Sequence, residues 1–384
     1  MTLSEILSNE ELRNHEFPVT RERIFLAHAG DCPLPRRVAD AITKYAQQST
    51  LADQENIIYP RILEETRKLA SRLLNSKPEE VSLVGPTSLA LSFIASGIKF
   101  RKSDNILIYF DDYPSNVYPW MALAEKGVQV RLLNIRELGQ VRAIDVMGQV
   151  DENTRLVALA SCHFVAGTRI DYQGIGKSLR ERNIIFCVDA IQTLGAFPTT
   201  TEYIDFLAAD AHKWLLGPCA AGLMFVKHDL QEKLDPHIYG WNNVRIVNYV
   251  AQEEIVFRRD AHRFEVGTQN LLGIVGLHAA LELLLEIGID NIAKELLRKR
   301  ALLVSALQAK GYSILGAKNG PESASGITSF FKPGDKTLPD LHKKLTAADI
   351  ITSLRGDRTS QLYIRLSPHF YNTDAELHRL LELV

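Results

Sequence analysis

Asp189 closes a short apolar run, Ile184 to Val188, and Gln192 follows three residues later. Lys213 stands twenty-four residues beyond Asp189, within His212-Lys213-Trp214, and Gly217-Pro218 follows. Singly, each residue has an ordinary explanation: an Asp ends many strands as the first residue of a turn, and a Lys is usually a solvated surface charge. In this order they meet the needs of one chemistry. Pyridoxal phosphate works as an electron sink only while its ring nitrogen stays protonated, so a carboxylate must face that nitrogen. A lysine with a reactive amine must also hold it covalently. Asp189 stands beyond the carboxyl end of a strand, where ligands bind in open α/β sheets. Gln192, one turn further, can hydrogen-bond the ring's phenolic oxygen. Lys213 has aromatic and aliphatic neighbours, and partial desolvation there favours its neutral, nucleophilic form.

The pattern D-A-x-Q-x-x-G followed by H-K-W-L-x-G-P resembles the class V aminotransferase family of fold-type I pyridoxal-phosphate enzymes. Cysteine desulfurases, selenocysteine lyases, isopenicillin-N-epimerase-like proteins and kynureninases belong to that family. Two distant stretches, Arg263-Phe-Glu-Val-Gly-Thr-Gln-Asn270 and Arg365-x-Ser-x-x-x-Tyr-Asn-Thr373, carry the same resemblance. It runs from about Ile24 to the C-terminus. The implied fold is α/β, a large domain with a mostly parallel sheet at 20–287 and a smaller α+β domain at 288–384, preceded by an N-terminal arm at 1–19. The implied cofactor is pyridoxal 5'-phosphate, with Lys213 and Asp189 catalytic and Gln192 on the phenolic oxygen.

The elements that must position these residues can be read along the chain. Val81 to Val84 is a strand candidate, Gly85-Pro86-Thr87-Ser88 a turn and Leu89 to Ile98 a helix. Such a unit aims backbone N–H groups and hydroxyls at an anion. In the resembling family the matching turn holds the cofactor phosphate, which selects Thr87 and Ser88, with His212 beside them. Further strands at 105–110, 128–133 and 156–160 alternate with helices, as a parallel sheet with right-handed crossovers requires. By the resemblance, Tyr113 after the 105–110 strand stacks on the pyridine ring; its plain alternative is a surface turn residue. His28, past the strand 24–27, is either a substrate-side residue or a turn histidine. His163 and Phe164 lie past another strand end and are pocket-lining candidates.

Thr268 corresponds to a residue that crosses a dimer interface to the partner's phosphate in the family, or else it caps the helix beginning near Leu271. From about Gly288 the texture changes to short strands at 312–315, 326–331, 350–354 and 361–366 among helices. Arg365 matches the family's clamp for a substrate α-carboxylate, a task suited to a bidentate guanidinium. Relatives often carry Ser two residues before the His, where this chain has Asp210. Desulfurases of the family carry a cysteine shortly before the carboxylate-binding arginine; Ile350 to Gln361 holds none. Cys219 is expected to be packed beside the lysine loop.

Composition sets the outer bounds. With 384 residues, two domains, or one large domain with a smaller appendage, are expected. A net charge of −2 offers no basic field for nucleic acid. The cysteines at 32, 162, 187 and 219 form no C-x-x-C pair, which argues against a disulfide framework or a zinc site and fits a reducing compartment. No metal is expected. The apolar stretch Leu271 to Ile287 contains His278, Glu282 and Glu286 and is too polar to span a bilayer. The N-terminus shows no signal-peptide pattern. The expectation is a cytoplasmic homodimer acting on a small amino acid by transamination or β-elimination, with an epimerase or a non-catalytic binding protein as the alternatives.

Overall fold

Asp189, Lys213 and Thr87 are brought together by one seven-stranded sheet. The computed structural model describes residues 1–384 except Tyr59, Val247, Asp335 and the side chain of Ile58. Numbered from the N-terminus, β1 is Ile24–Phe25, β2 Val81–Ser82, β3 Asn105–Ile108, β4 Gln129–Leu132 and β5 Thr154–Ala160. They are followed by β6 Ile185–Asp189, β7 Phe206–Ala209 and β8 Leu223–Val226. The large sheet runs β2-β8-β7-β6-β5-β3-β4. Strands β4, β3, β5, β6 and β7 are parallel; β8 runs antiparallel to β7, and the edge strand β2, antiparallel to β8, runs with the parallel set. Helices cover both faces, so β3, β6, β7 and β8 are buried at every position, as continuous apolar runs predict.

Strand β7 was not legible as a strand. Its four apolar residues are flanked by Asp205 and Asp210, which give the stretch an acidic look. Both acids have structural work. Asp205 Oδ2 accepts from the Phe186 N–H at 2.9 Å, tying β7 to β6, and Asp210 organises the site described below. The helix expected from Leu89 starts earlier, at Thr87–Gly97, so Thr87 and Ser88 occupy its first turn.

The remaining strands, β9 Ser313–Ile314, β10 Thr328–Phe331, β12 Ser353–Gly356 and β13 Leu362–Leu366, make a four-stranded antiparallel sheet in the order β12-β13-β10-β9. β11, Ile350–Ile351, pairs instead with β1 in parallel. Leu26 joins the apolar core built from residues of 303–381. The chain thus enters the smaller unit before it builds the larger one. The helices Leu271–Ile287 and Ile289–Ala309 join the two units and bend by 77° at Gly288, which takes a φ of 88° open to glycine at little cost. Among the described residues, no single helix is long and apolar enough to cross a membrane.

Candidate active site

Beyond the carboxyl ends of the parallel strands lies a cavity of about 450 Å³. Lys213, Asp189, Gln192, His212, Thr87, Ser88, Tyr113 and Arg365 all line it, although they come from segments spread over nearly 280 residues of chain. Asp189 is the last residue of β6 and is 2% exposed. Its Oδ1 accepts the Ile191 N–H at 3.0 Å. Burial pushes the carboxyl up to about 6, against that hydrogen bond and the attraction of Lys213. A cationic ring nitrogen placed against it would restore the carboxylate.

Lys213 is almost fully buried. Desolvation brings its amine down to about 8; Asp189 opposes the shift and Arg365 adds to it. The nitrogen lies 5.3 Å from the centroid of the Tyr113 ring. Tyr113 is 45% exposed and meets Phe164 edge-on at 5.3 Å, so its ring forms one wall of the cavity. Gln192 donates from Nε2 to the Ala29 carbonyl at 3.0 Å, leaving its second amide hydrogen unassigned.

The opposite end is suited to an anion. Thr87 Oγ1 accepts the Asp210 N–H at 2.8 Å, which leaves its hydroxyl hydrogen to donate into the cavity. Ser88 adds a second hydroxyl in the same first helical turn, where backbone N–H groups have no helical partner. His212 Nδ1 lies 2.6 Å from Asp210 Oδ2. The Asp210 carboxylate does not line the cavity. Its Oδ2 also accepts the Ala220 N–H at 3.0 Å, and its Oδ1 lies under Gly85 and Gly222, where added Cβ atoms would stand 2.9 and 3.1 Å away. An acid in place of serine is therefore compatible with a phosphate: it holds His212 and the returning strand and is turned from the anion.

A buried carboxylate, a desolvated amine, an aromatic wall and a cluster of anion donors fit pyridoxal phosphate. Lys213 would hold it, Asp189 would face its ring nitrogen, and Thr87, Ser88 and His212 would receive its phosphate.

Two expected residues are turned away from the cavity, and Thr268, expected at a partner's phosphate, lies outside it. His28 is fully buried, with Nδ1 3.0 Å from the Ser367 carbonyl and Nε2 2.7 Å from the Tyr371 hydroxyl. Both ring nitrogens are used, so it is a packed core histidine, and its neighbours Ala27, Ala29, Gly30 and Asp31 line the cavity instead. His163 is also turned away: Nε2 meets the Asp111 carbonyl at 2.9 Å and Nδ1 accepts the Ala166 N–H at 2.9 Å. Thr268 is exposed and borders a separate cleft of about 220 Å³ that includes Gly85 and Gly222. The helix it was expected to cap is capped by Asn270, whose side chain accepts the Gly273 N–H.

Cys219 is exposed and not packed, with its sulfur 3.9 Å from Asp31 Oδ1. Glu265, within the motif at 263–270, accepts the Leu83 N–H at 2.7 Å and pairs with Arg67, fixing the segment that leads into the phosphate turn. Arg355 is a lining residue missed in the sequence. The one available signal was its spacing of ten from Arg365. A roomier cavity of about 520 Å³ opens at Trp241, Arg245 and Arg258, but it gathers no comparable catalytic set.

The sequence profile of the Aminotransferase class-V family matches residues 24–380. A probable cysteine desulfurase of Methanothermobacter thermautotrophicus is 29% identical, over 98% of this chain and 97% of its own length. The apo cysteine desulfurase of Thermococcus onnurineus NA1 superposes with a TM-score of 0.88 at 23% identity, covering 98% of this chain and 96% of its own. The cystine C-S lyase C-DES, solved with its reaction product cysteine persulfide, superposes with a TM-score of 0.86 at 21% identity, covering 95% and 98%. The profile match settles the family: this chain is a member of the class V aminotransferases and a pyridoxal 5'-phosphate-dependent enzyme.

Proposed function

We propose that this enzyme is a lyase that releases the β-substituent of a small amino acid directly, without a protein persulfide. The carrying observation is the hairpin β12–β13, which occupies the stretch where desulfurases of the family present their cysteine. Residues 350–361 contain no cysteine. The hairpin turn is closed on Asp357, whose Oδ1 accepts the N–H groups of Thr359 and Gln361 and whose Oδ2 accepts the Tyr363 hydroxyl. Arg358 then latches the turn to Asp111 at 2.6 Å. Such a turn is built to stay in place, whereas a sulfur relay needs a loop that moves.

The groups facing the cavity supply the chemistry. When bound, pyridoxal phosphate stabilises negative charge at the amino acid's Cα. Lys213 Nζ, brought near neutrality by burial, is the base placed to take and return the α-proton. Arg365 orients the substrate by its α-carboxylate. Asp189 is the carboxylate placed to keep the bound cofactor's ring nitrogen protonated. Cys219 is a poor sulfur acceptor: partial burial and the nearby Asp31 and Asp210 carboxylates raise its thiol. The C-S lyase activity of the structural neighbour C-DES agrees with this reading.

The reading includes a homodimer. Thr268 is exposed, and the chain also exposes apolar side chains at Ile238, Tyr239, Val256 and Leu272. In the proposed dimer such apolar side chains are covered by a second copy, and Thr268 reaches that copy's phosphate site. Incubation with cysteine followed by mass spectrometry tests the chemistry. Release of sulfide together with pyruvate and ammonia, with all four cysteines unmodified, is expected. A protein persulfide, with release that fails when that cysteine becomes alanine, would overturn the lyase reading.

A further inference from the structure

Two arginines face the cavity, and one α-carboxylate can balance only one of them. In the β12–β13 pairing Ser353 lies opposite Arg365, and Arg355 lies opposite Tyr363. Positions two apart share a face of a sheet, so Arg355 and Arg365 sit diagonally on the same face. They converge at Gly30, where a Cβ would meet Nη2 of Arg365 at 3.4 Å and Nη2 of Arg355 at 3.6 Å.

Neither guanidinium has an acidic partner among the described residues. Arg365 donates to the Phe164 carbonyl at 2.7 Å and to the Ser353 hydroxyl at 3.4 Å, and its Nε is buried without a partner. Arg355 donates from Nη1 to the carbonyl of its own neighbour, Leu354. Asp357 is committed to its turn and Asp111 to Arg358, while Asp31 and Asp189, which line the same cavity, form no ion pair with either arginine. Burial and the adjacent Arg355 charge push Arg365 down to about 9, the signature of a cation awaiting an anion.

The two differ in depth. Arg365 is 1% exposed and repels Lys213 more strongly than Arg355 does. Arg355 is half-buried and stands further out. The inner arginine is thus placed for the carboxylate next to the reacting carbon, and the outer one for a group further along the substrate.

We propose that Arg355 binds a second anionic group, a carboxylate, sulfinate or sulfonate, on the side chain of the amino acid substrate. This rests on the site being one for amino acids, as argued above. Planar guanidinium pairing with such groups is the strongest polar recognition available to the cavity.

The test titrates the cofactor-loaded enzyme with matched amino acids and follows its visible absorbance. Aspartate against asparagine, glutamate against glutamine, and cysteine sulfinate against cysteine are the pairs. The acidic member of at least one pair is expected to bind about tenfold tighter, a difference of ~1.4 kcal/mol. Arg355→Gln should bring that ratio to within about twofold, and Arg355→Lys should retain part of it. Ratios near one for every pair in the parent enzyme would overturn the proposal without needing a variant. So would an equal loss for both members in Arg355→Gln, which would make Arg355 a second grip on the α-carboxylate. No response to any amino acid, acidic or neutral, would instead bring down the amino-acid reading itself, and this proposal with it.

Discussion

Trp214 donates its indole N–H to Oε1 of Gln192 across 2.9 Å, joining the residue after the lysine to the residue three beyond the aspartate. An indole is a donor only, so this bond settles which way the Gln192 amide points. Its Nε2 is thereby directed to Ala29 and the cavity. The two halves of the motif are therefore one hydrogen-bonded unit, with the His369 ring nitrogen 3.1 Å from the Trp214 carbonyl behind it.

Trp214→Phe removes that donor and leaves a buried acceptor unpaired. Unfolding in urea should show a loss of at least about 1–3 kcal/mol, with cofactor held less tightly because the amide can turn. An unchanged midpoint and cofactor affinity would mean that Gln192 is oriented by something else.

The lysine predicts a pH profile. A depressed amine pKa means Lys213 is neutral above about 8 and charged below it. The rate at which cofactor-free protein attaches pyridoxal phosphate should rise about tenfold per pH unit below 8 and level off above. Stopped-flow absorbance from pH 6 to 10 measures it. A profile still rising at pH 10 would show an ordinary, solvated lysine.

Asp189→Asn keeps the shape of the residue but removes the charge that keeps the ring nitrogen protonated. Cofactor should still bind, while turnover falls by roughly two orders of magnitude or more, equivalent to about 3 kcal/mol in the barrier. Unchanged steady-state rates would place another group at that nitrogen.

Arg365→Ala should weaken amino-acid binding by roughly 2–5 kcal/mol, the cost of removing one partner of a buried charge pair. Binding within about twofold of the parent would take Arg365 out of the substrate site.

Much of this site could be read before the fold was seen, because Asp189, Gln192 and Lys213 lie at strand ends and loops whose chemistry is local. The segments with apolar strand patterns, at 105–110 and 156–160, became β3 and β5 with only their ends moved. What escaped depended on pairing between distant segments. β7 was masked by Asp205, whose partner is an amide of the neighbouring strand. His28 looked available because its two partners, at Ser367 and Tyr371, lie more than 300 residues away. Arg355 was not singled out, because only the β12–β13 register sets it beside Arg365.

The central claim is that Lys213 carries the cofactor. Borohydride reduction of the purified, cofactor-loaded protein should bleach its visible absorbance and fix the pyridoxyl group in place. Peptide mass spectrometry should then find that added mass on the peptide containing Lys213, and Lys213→Ala protein should be folded, colourless and unlabelled. A label on a different lysine, or a Lys213→Ala protein that keeps both colour and turnover, would contradict the account.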